Sequence, residues 1–343
     1  MNGNMKAVIT SLGLLTITLL ATVAAACMKT QRLTMTDNET GPAEAGAGGK
    51  DGCTNAIYHW RTTFVPDSSE TAFISRHHIS RIYLKMFDVA FVDDYGLGGD
   101  KIVPIATTII DSAVPEGVEV IPVVYITIDA LRGMAGETDK YATLIVERVR
   151  AMMRHNRLGK IGEVQFDCDW TASTRATYAA LCSKARSMLH EDFSTLSVTV
   201  RLHQLDEAPM PADRGVLMLY NTGALKDAST RNSILDVADV KPYLKKKTRY
   251  AIPLDYAYPA FGWGIVFGDG KFKAIVSDPD SATLAAGDKI RRERPTPDEI
   301  IKVKKLVEAS LGLPARGNII YHLDRNQLKH YTPDEIDQIY FSN

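Results

Sequence analysis

The stretch Glu163-Val164-Gln165-Phe166-Asp167-Cys168-Asp169-Trp170-Thr171 alternates polar and apolar residues and closes on two carboxylates. Successive strand side chains point to opposite faces, so Gln165, Asp167 and Asp169 share one face and Val164, Phe166, Cys168 and Trp170 the other. In a parallel barrel wrapped by helices the outer face is apolar. That sends the Asp pair inward at the C-terminal mouth, where such barrels place their chemistry.

Outward from this segment, strand-like runs alternate with helical periodicity from Ala56 onward, the pattern of an α/β fold with a mostly parallel sheet. The candidate strands are Ala56–Phe64, Arg81–Phe91, Val118–Thr127, Val164–Trp170, Leu196–His203, Gly215–Asn221, Tyr250–Tyr256 and Asn318–Leu323. Tyr141, Leu144, Ile145, Val149, Met152 and Met153 recur at helical spacing, as do Tyr178, Leu181, Cys182, Ala185, Met188 and Leu189. Thr296-Pro297-Asp298-Glu299 and Thr332-Pro333-Asp334-Glu335 each supply an N-cap, a first-turn Pro and a Glu at the third position, so each predicts a helix start. Eight strands over residues 55–343 suit a (β/α)₈ TIM barrel. The competing open doubly wound sheet expects a Gly-rich phosphate turn after its first strand, and none follows Phe64. Asp269-Gly270, set between Gly264-Ile265-Val266-Phe267 and Lys271-Phe272-Lys273-Ala274-Ile275-Val276, predicts a hairpin: a β-ribbon inserted after strand seven.

The composition is that of a globular chain: 343 residues, 45% hydrophobic, 24% charged, formal net charge -1. With no basic stripe, nucleic acid is not an expected partner. Lys6 and the apolar run from Ala7 to Ala26 read as a signal peptide over residues 1–26. Ala24-Ala25-Ala26-Cys27 resembles a bacterial lipobox, with Cys27 as the lipidated N-terminus of an envelope protein. The same alanines also fit an ordinary cleavage site, which would leave a secreted, soluble chain with a free thiol. Residues 27–54, rich in Thr, Gly, Ala, Asp and Glu, read as a disordered tether. Cys53, Cys168 and Cys182 lack disulfide-framework or metal-site spacing; no metal and no cofactor is expected.

The same alternation collects further mouth residues. Arg201 and His203 should face inward from strand five, Tyr220 and Asn221 close strand six, Asp255 and Tyr256 close strand seven, and Trp263 with Phe261 could stack a sugar ring. Acids, a base, aromatics and amides together suit a glycan or other polyhydroxylated ligand. The competing reading of the Asp pair is an ion pair with Arg201 or Lys85.

Phe166-Asp167-Cys168-Asp169-Trp170 resembles the strand-four signature of chitinase-like (family 18) glycoside hydrolases, Asp-x-Asp-x-Asp-x-Glu with an aromatic before the Glu, and Met218-Leu219-Tyr220-Asn221 resembles that family's Met-x-Tyr-Asp/Asn element. More broadly, residues 56–330 are similar to bacterial secreted proteins grouped with TIM-barrel glycosidases, a likeness that carries no activity of its own. The first resemblance implies that Asp169 orients a substrate acetamido group with help from Tyr220. It departs at the general acid, where this chain has Thr171. Two outcomes follow. Asp169 or Asp255 could act as acid in a hydrolase, which needs carboxylates about 5–5.5 Å or 6.5–9.5 Å apart, or the barrel binds glycan without cleaving it. A structural or partner-binding envelope protein without carbohydrate affinity is the third class.

Overall fold

The computed structural model describes residues 54–93, 99–245, 249–280 and 282–341. Its centre is a closed barrel of eight parallel strands: β1 Asn55–His59, β2 Ile79–Phe91, β3 Glu119–Ile126, β4 Glu163–Asp167, β5 Thr195–Arg201, β6 Arg214–Met218, β7 Leu254–Pro259 and β8 Asn318–Tyr321. Each strand pairs with its sequence neighbour, and β1 closes the ring by pairing with both β2 and β8. All eight expected strands are present. β2 runs on past the barrel, where an antiparallel strand, Ile102–Ile105, pairs with its end.

The crossovers carry the helices α1 Ser68–Arg76, α2 Thr138–His155, α3 Arg175–Glu191, α4 Val237–Leu244, α5 Pro297–Leu311 and α6 Pro333–Tyr340. In α2 the repeat buries Tyr141, Ile145, Val149 and Met153, and in α3 it buries Tyr178, Leu181, Cys182, Ala185 and Leu189. Leu144, one of the periodic positions, is left exposed. The caps form as their spacing dictates: Thr296 and Thr332 accept from the backbone of Glu299 and Glu335, whose carboxylates reach back to the cap nitrogens.

The pleat of β4 sorts the chain into two layers. Val164, Phe166 and Cys168 are fully buried on the outside, and Tyr178 of α3 donates to the Phe166 carbonyl at 3.3 Å. Gln165 points inward, accepts from the Tyr58 hydroxyl at 2.6 Å and donates to Ser197 at 3.3 Å, a polar layer across the barrel axis. Polar groups this deep are tolerated because they are hydrogen-bonded.

After β7, Trp263–Gly268 and Lys271–Val276 form the expected hairpin, with Asp269 and Gly270 both at positive φ as a two-residue turn requires. A third strand, Lys289–Glu293, pairs on the other edge of Trp263–Gly268. Its composition, Lys-Ile-Arg-Arg-Glu, carries almost no strand signal. Residues 1–53, on which the expected signal peptide, Cys27 and all but the last residue of the expected tether fall, lie outside the described residues. Among the described residues, no helix is long and apolar enough to cross a membrane.

Candidate functional site

The C-terminal mouth gathers its polar residues around Arg201, the last residue of β5. Asp167, which ends β4, is buried; it accepts from Thr199 at 2.6 Å and from Arg201 Nη2 at 3.1 Å. Asp169, two residues on, has 48% of its side chain exposed and accepts from Arg201 Nε. One guanidinium therefore ties both carboxylates, each through a different nitrogen of its planar fork.

The electrostatics follow from depth. Burial pushes the Asp167 carboxyl above its ordinary value, against the pull of Arg201 and Thr199, and the nearby negative charges of Asp169 and Asp88 add to the rise. Burial also opposes the charge of Arg201, but Asp167 and Asp169 more than offset it and hold the guanidinium protonated.

Above this cluster lies a cleft of about 260 Å³ whose walls include Asp169, Arg201, His203, Tyr220, Asn221 and Tyr243. His203 does not continue the strand alternation: the chain turns into a 3₁₀ segment, Leu202–Asp206, leaving the imidazole exposed at the rim. Asn221 is exposed with φ 56°, a left-handed conformation that Asn tolerates well. Tyr220 is largely buried and spends its hydroxyl on the Met218 sulfur at 2.8 Å, with its ring centroid 4.9 Å from that of Tyr321. Five sequence-predicted residues thus share one cleft, with Asp167 beneath it.

Three do not. Asp255 is the second residue of β7, at the opposite end of the barrel. There it accepts from the backbone of Arg316 at 2.6 Å and of Gly317 at 3.2 Å, and lies 3.4 Å from both the Arg81 and Arg316 side chains. The sequence reading placed it at a strand end; the strand in fact begins there and runs on to Pro259. Tyr256 faces outward, and its hydroxyl donates to the Gly312 carbonyl at the end of α5. Trp263 belongs to the ribbon: its indole donates to Glu293 at 2.8 Å and its ring meets Phe261 edge-on, 5.4 Å between centroids.

Thr171 lies just beyond the Asp pair. Its backbone N–H bonds the Thr174 hydroxyl at 2.9 Å and its own hydroxyl contacts Ser173 at 3.0 Å, so it shapes the turn into α3.

An aromatic wall was missed. Trp60 follows β1, Tyr125 lies near the end of β3 and Tyr321 ends β8; the Trp60 ring lies 5.8 Å from Tyr321 and 6.5 Å from Tyr125. Phe261 covers Tyr220 and Tyr321 from the ribbon side. Lys85 sits 6.0 Å from the Trp60 ring centroid and bonds Asp88 at 3.0 Å, not the Asp pair. The alternation that exposed Asp167 would have found Trp60 too, since it shares a face with the inward Tyr58.

No cluster of three or more His, Cys, Asp or Glu side chains that could hold a metal occurs among the described residues.

No protein-family model matches this chain, and no curated protein does. Solved structures do match in fold. The Bacillus cereus spore cortex-lytic enzyme SleL superposes with a TM-score of 0.51 at 14% identity, covering 84% of this chain and 74% of SleL. The SleL of Bacillus megaterium QM B1551 gives 0.51 at 13% identity over 83% and 74%. A chitinase from Chromobacterium violaceum ATCC 12472 gives 0.52 at 12% identity over 83% and 98%. The chain is an α/β protein with a TIM-barrel fold, and it shares that fold with these structures.

Proposed function

We propose that the barrel mouth binds a glycan and does not hydrolyse it. The observation that carries this reading is the double engagement of Arg201. Both carboxylates of the strand-four pair are held by one guanidinium, and Thr171 occupies the position where the resembled pattern has its general acid. A Thr hydroxyl cannot protonate a glycosidic oxygen at neutral pH, and Asp167 is too deeply buried to reach one. What remains is recognition: the free edge of Asp169, the imidazole of His203 and the amide of Asn221 offer acceptors and donors to hydroxyl groups, beside aromatic surface from Trp60 and Tyr321. Fold likeness to a chitinase and to cortex-lytic enzymes makes glycans the ligand class to test first.

The test is a glycan-binding and hydrolysis screen on the wild type and the Asp167→Ala/Asp169→Ala variant. Binding that the variant loses, with no release of reducing ends, is the expected result. Product from the wild type would show a hydrolase with a relocated acid, and absence of any glycan affinity would leave a structural or partner-binding role.

We also propose that Cys27 is the acylated N-terminus of an envelope-anchored chain. Fatty-acid labelling that disappears in Cys27→Ser tests this; an unlabelled wild type would point to a secreted, soluble protein.

A further inference from the structure

The end of the barrel opposite the mouth carries a side chain the fold does not explain. Phe193, in the turn from α3 into β5, is 91% exposed, and its φ of 57° holds it in a left-handed turn. A non-Gly residue there is uncommon, and an aromatic one buries nothing in return. The turn is nonetheless well anchored: the Phe193 N–H bonds the His190 carbonyl at 3.1 Å, and Ser194 donates to the Ile161 carbonyl at 2.8 Å.

That second bond, made by Ser194, joins the Phe193 turn to the neighbouring turn between α2 and β4. The end of α2 and this turn expose Arg154, Arg157 and Lys160, and none of the three has an ion-pair partner among the described residues. The acids nearby are Asp192, which shares Arg150 with Glu147, together with Glu191, with Glu116 in the turn into β3 and with Glu119 that opens that strand. Leu313, 62% exposed in the connection into β8, is a second large apolar side chain on this end of the barrel. The chain also arrives here: Thr54 bonds the Arg316 carbonyl at 2.6 Å, so the segment leading back to Cys27 starts from this face.

We propose that this face rests on an anionic lipid surface, with Phe193 inserted at headgroup depth and Arg154, Arg157 and Lys160 against the lipid phosphates. Aromatic rings favour the membrane interface, and cations beside them add attraction that salt weakens. Such seating turns the mouth away from the bilayer, towards a glycan in the envelope. The orientation draws on the anchoring reading above, but the test does not depend on it.

Among the described residues the closed barrel and its helices lie within residues 55–340, so residues 28–343, which lack Cys27 and the apolar segment, carry every one of these elements. This chain is sedimented with vesicles of phosphatidylglycerol and phosphatidylcholine in equal parts, and with phosphatidylcholine vesicles. The expected result is salt-sensitive binding to the anionic vesicles only. Phe193→Ser should weaken it about tenfold, the loss of one buried aromatic at the interface, and Arg154→Glu/Lys160→Glu should abolish it. Unchanged thermal melting of both variants confirms that the fold survives. Absence of binding to the anionic vesicles, or binding that ignores both variants, overturns the proposal. Either outcome leaves the labelling of Cys27 in the full chain as a separate result.

Discussion

The guanidinium of Arg201 lies 3.1 Å from the carboxylate of Asp167, and each depends on the other for its charge at that depth. Arg201 comes from the end of β5 and Asp167 from the end of β4, so the contact fixes two neighbouring strand ends and sets the floor of the cleft.

Replacing Arg201 by Met leaves Asp167 buried with only Thr199 as partner. A loss of about 3 kcal/mol at neutral pH is expected for an ion pair broken from one side. Burial already raises the carboxyl, and loss of the opposing Arg201 charge raises it further in the folded variant. Stability should therefore recover as pH falls from the folded-state value towards the ordinary 3.8, which chemical denaturation at several pH values would show.

Asp255 should behave as a structural residue. Asp255→Ala leaves Arg81 with only the Thr54 carbonyl, leaves Arg316 to Glu163 and Tyr83, and removes the acceptor for two backbone N–H groups in the base of the barrel. A destabilisation of about 3–5 kcal/mol is expected, with glycan affinity retained in the fraction that stays folded. Loss of affinity without loss of stability would return Asp255 to the binding site.

His59, fully buried as the last residue of β1, has its basicity lowered to about 3, first by burial and then by the positive charge of Arg61 and by His322. His322 is lowered to about 4, again mainly by burial. Both must enter the fold neutral, so stability present above pH 6.5 is lost as pH falls towards these values. Each should cost about 2 kcal/mol at pH 5 relative to pH 7. His59→Phe, which sits beside Phe64, should flatten this acid limb, a change visible in melting temperatures between pH 7 and 5.

Lys304 of α5 is buried and donates to the carbonyls of Ile339 at 2.9 Å and Phe341 at 2.6 Å, tying down the end of α6. Burial lowers its ammonium to about 8, with Glu308 opposing. The unfolded chain then holds a proton that the folded chain has released, so the Lys304 contribution should make stability rise between pH 8 and the ordinary 10.5. Comparison with Lys304→Met, which lacks the titrating group, isolates that rise in denaturant titrations.

The strands, two long helices and two capped helix starts were legible because each is set by local pattern: alternation in 163–169, helical spacing in 141–153, and Thr-Pro-Asp-Glu caps. The direction of Asp167 and Asp169 was legible as well, since period two allows only two faces and a wrapped barrel makes the outer one apolar. Height along the barrel axis was not. Asp255 and Asp167 look alike in sequence, each a carboxylate in an apolar strand. Yet β7 begins at Leu254 and β4 ends at Asp167, so the two acids lie at opposite ends. Strand limits depend on where neighbouring strands pair, and that is a property of the closed sheet. For the same reason the sequence could not show that one Arg from β5 would hold both acids, or that Trp263 would spend its N–H on Glu293 of a ribbon strand with almost no strand signal. Local periodicity determined the class of fold and the facing of its side chains; tertiary pairing alone decided which charges meet.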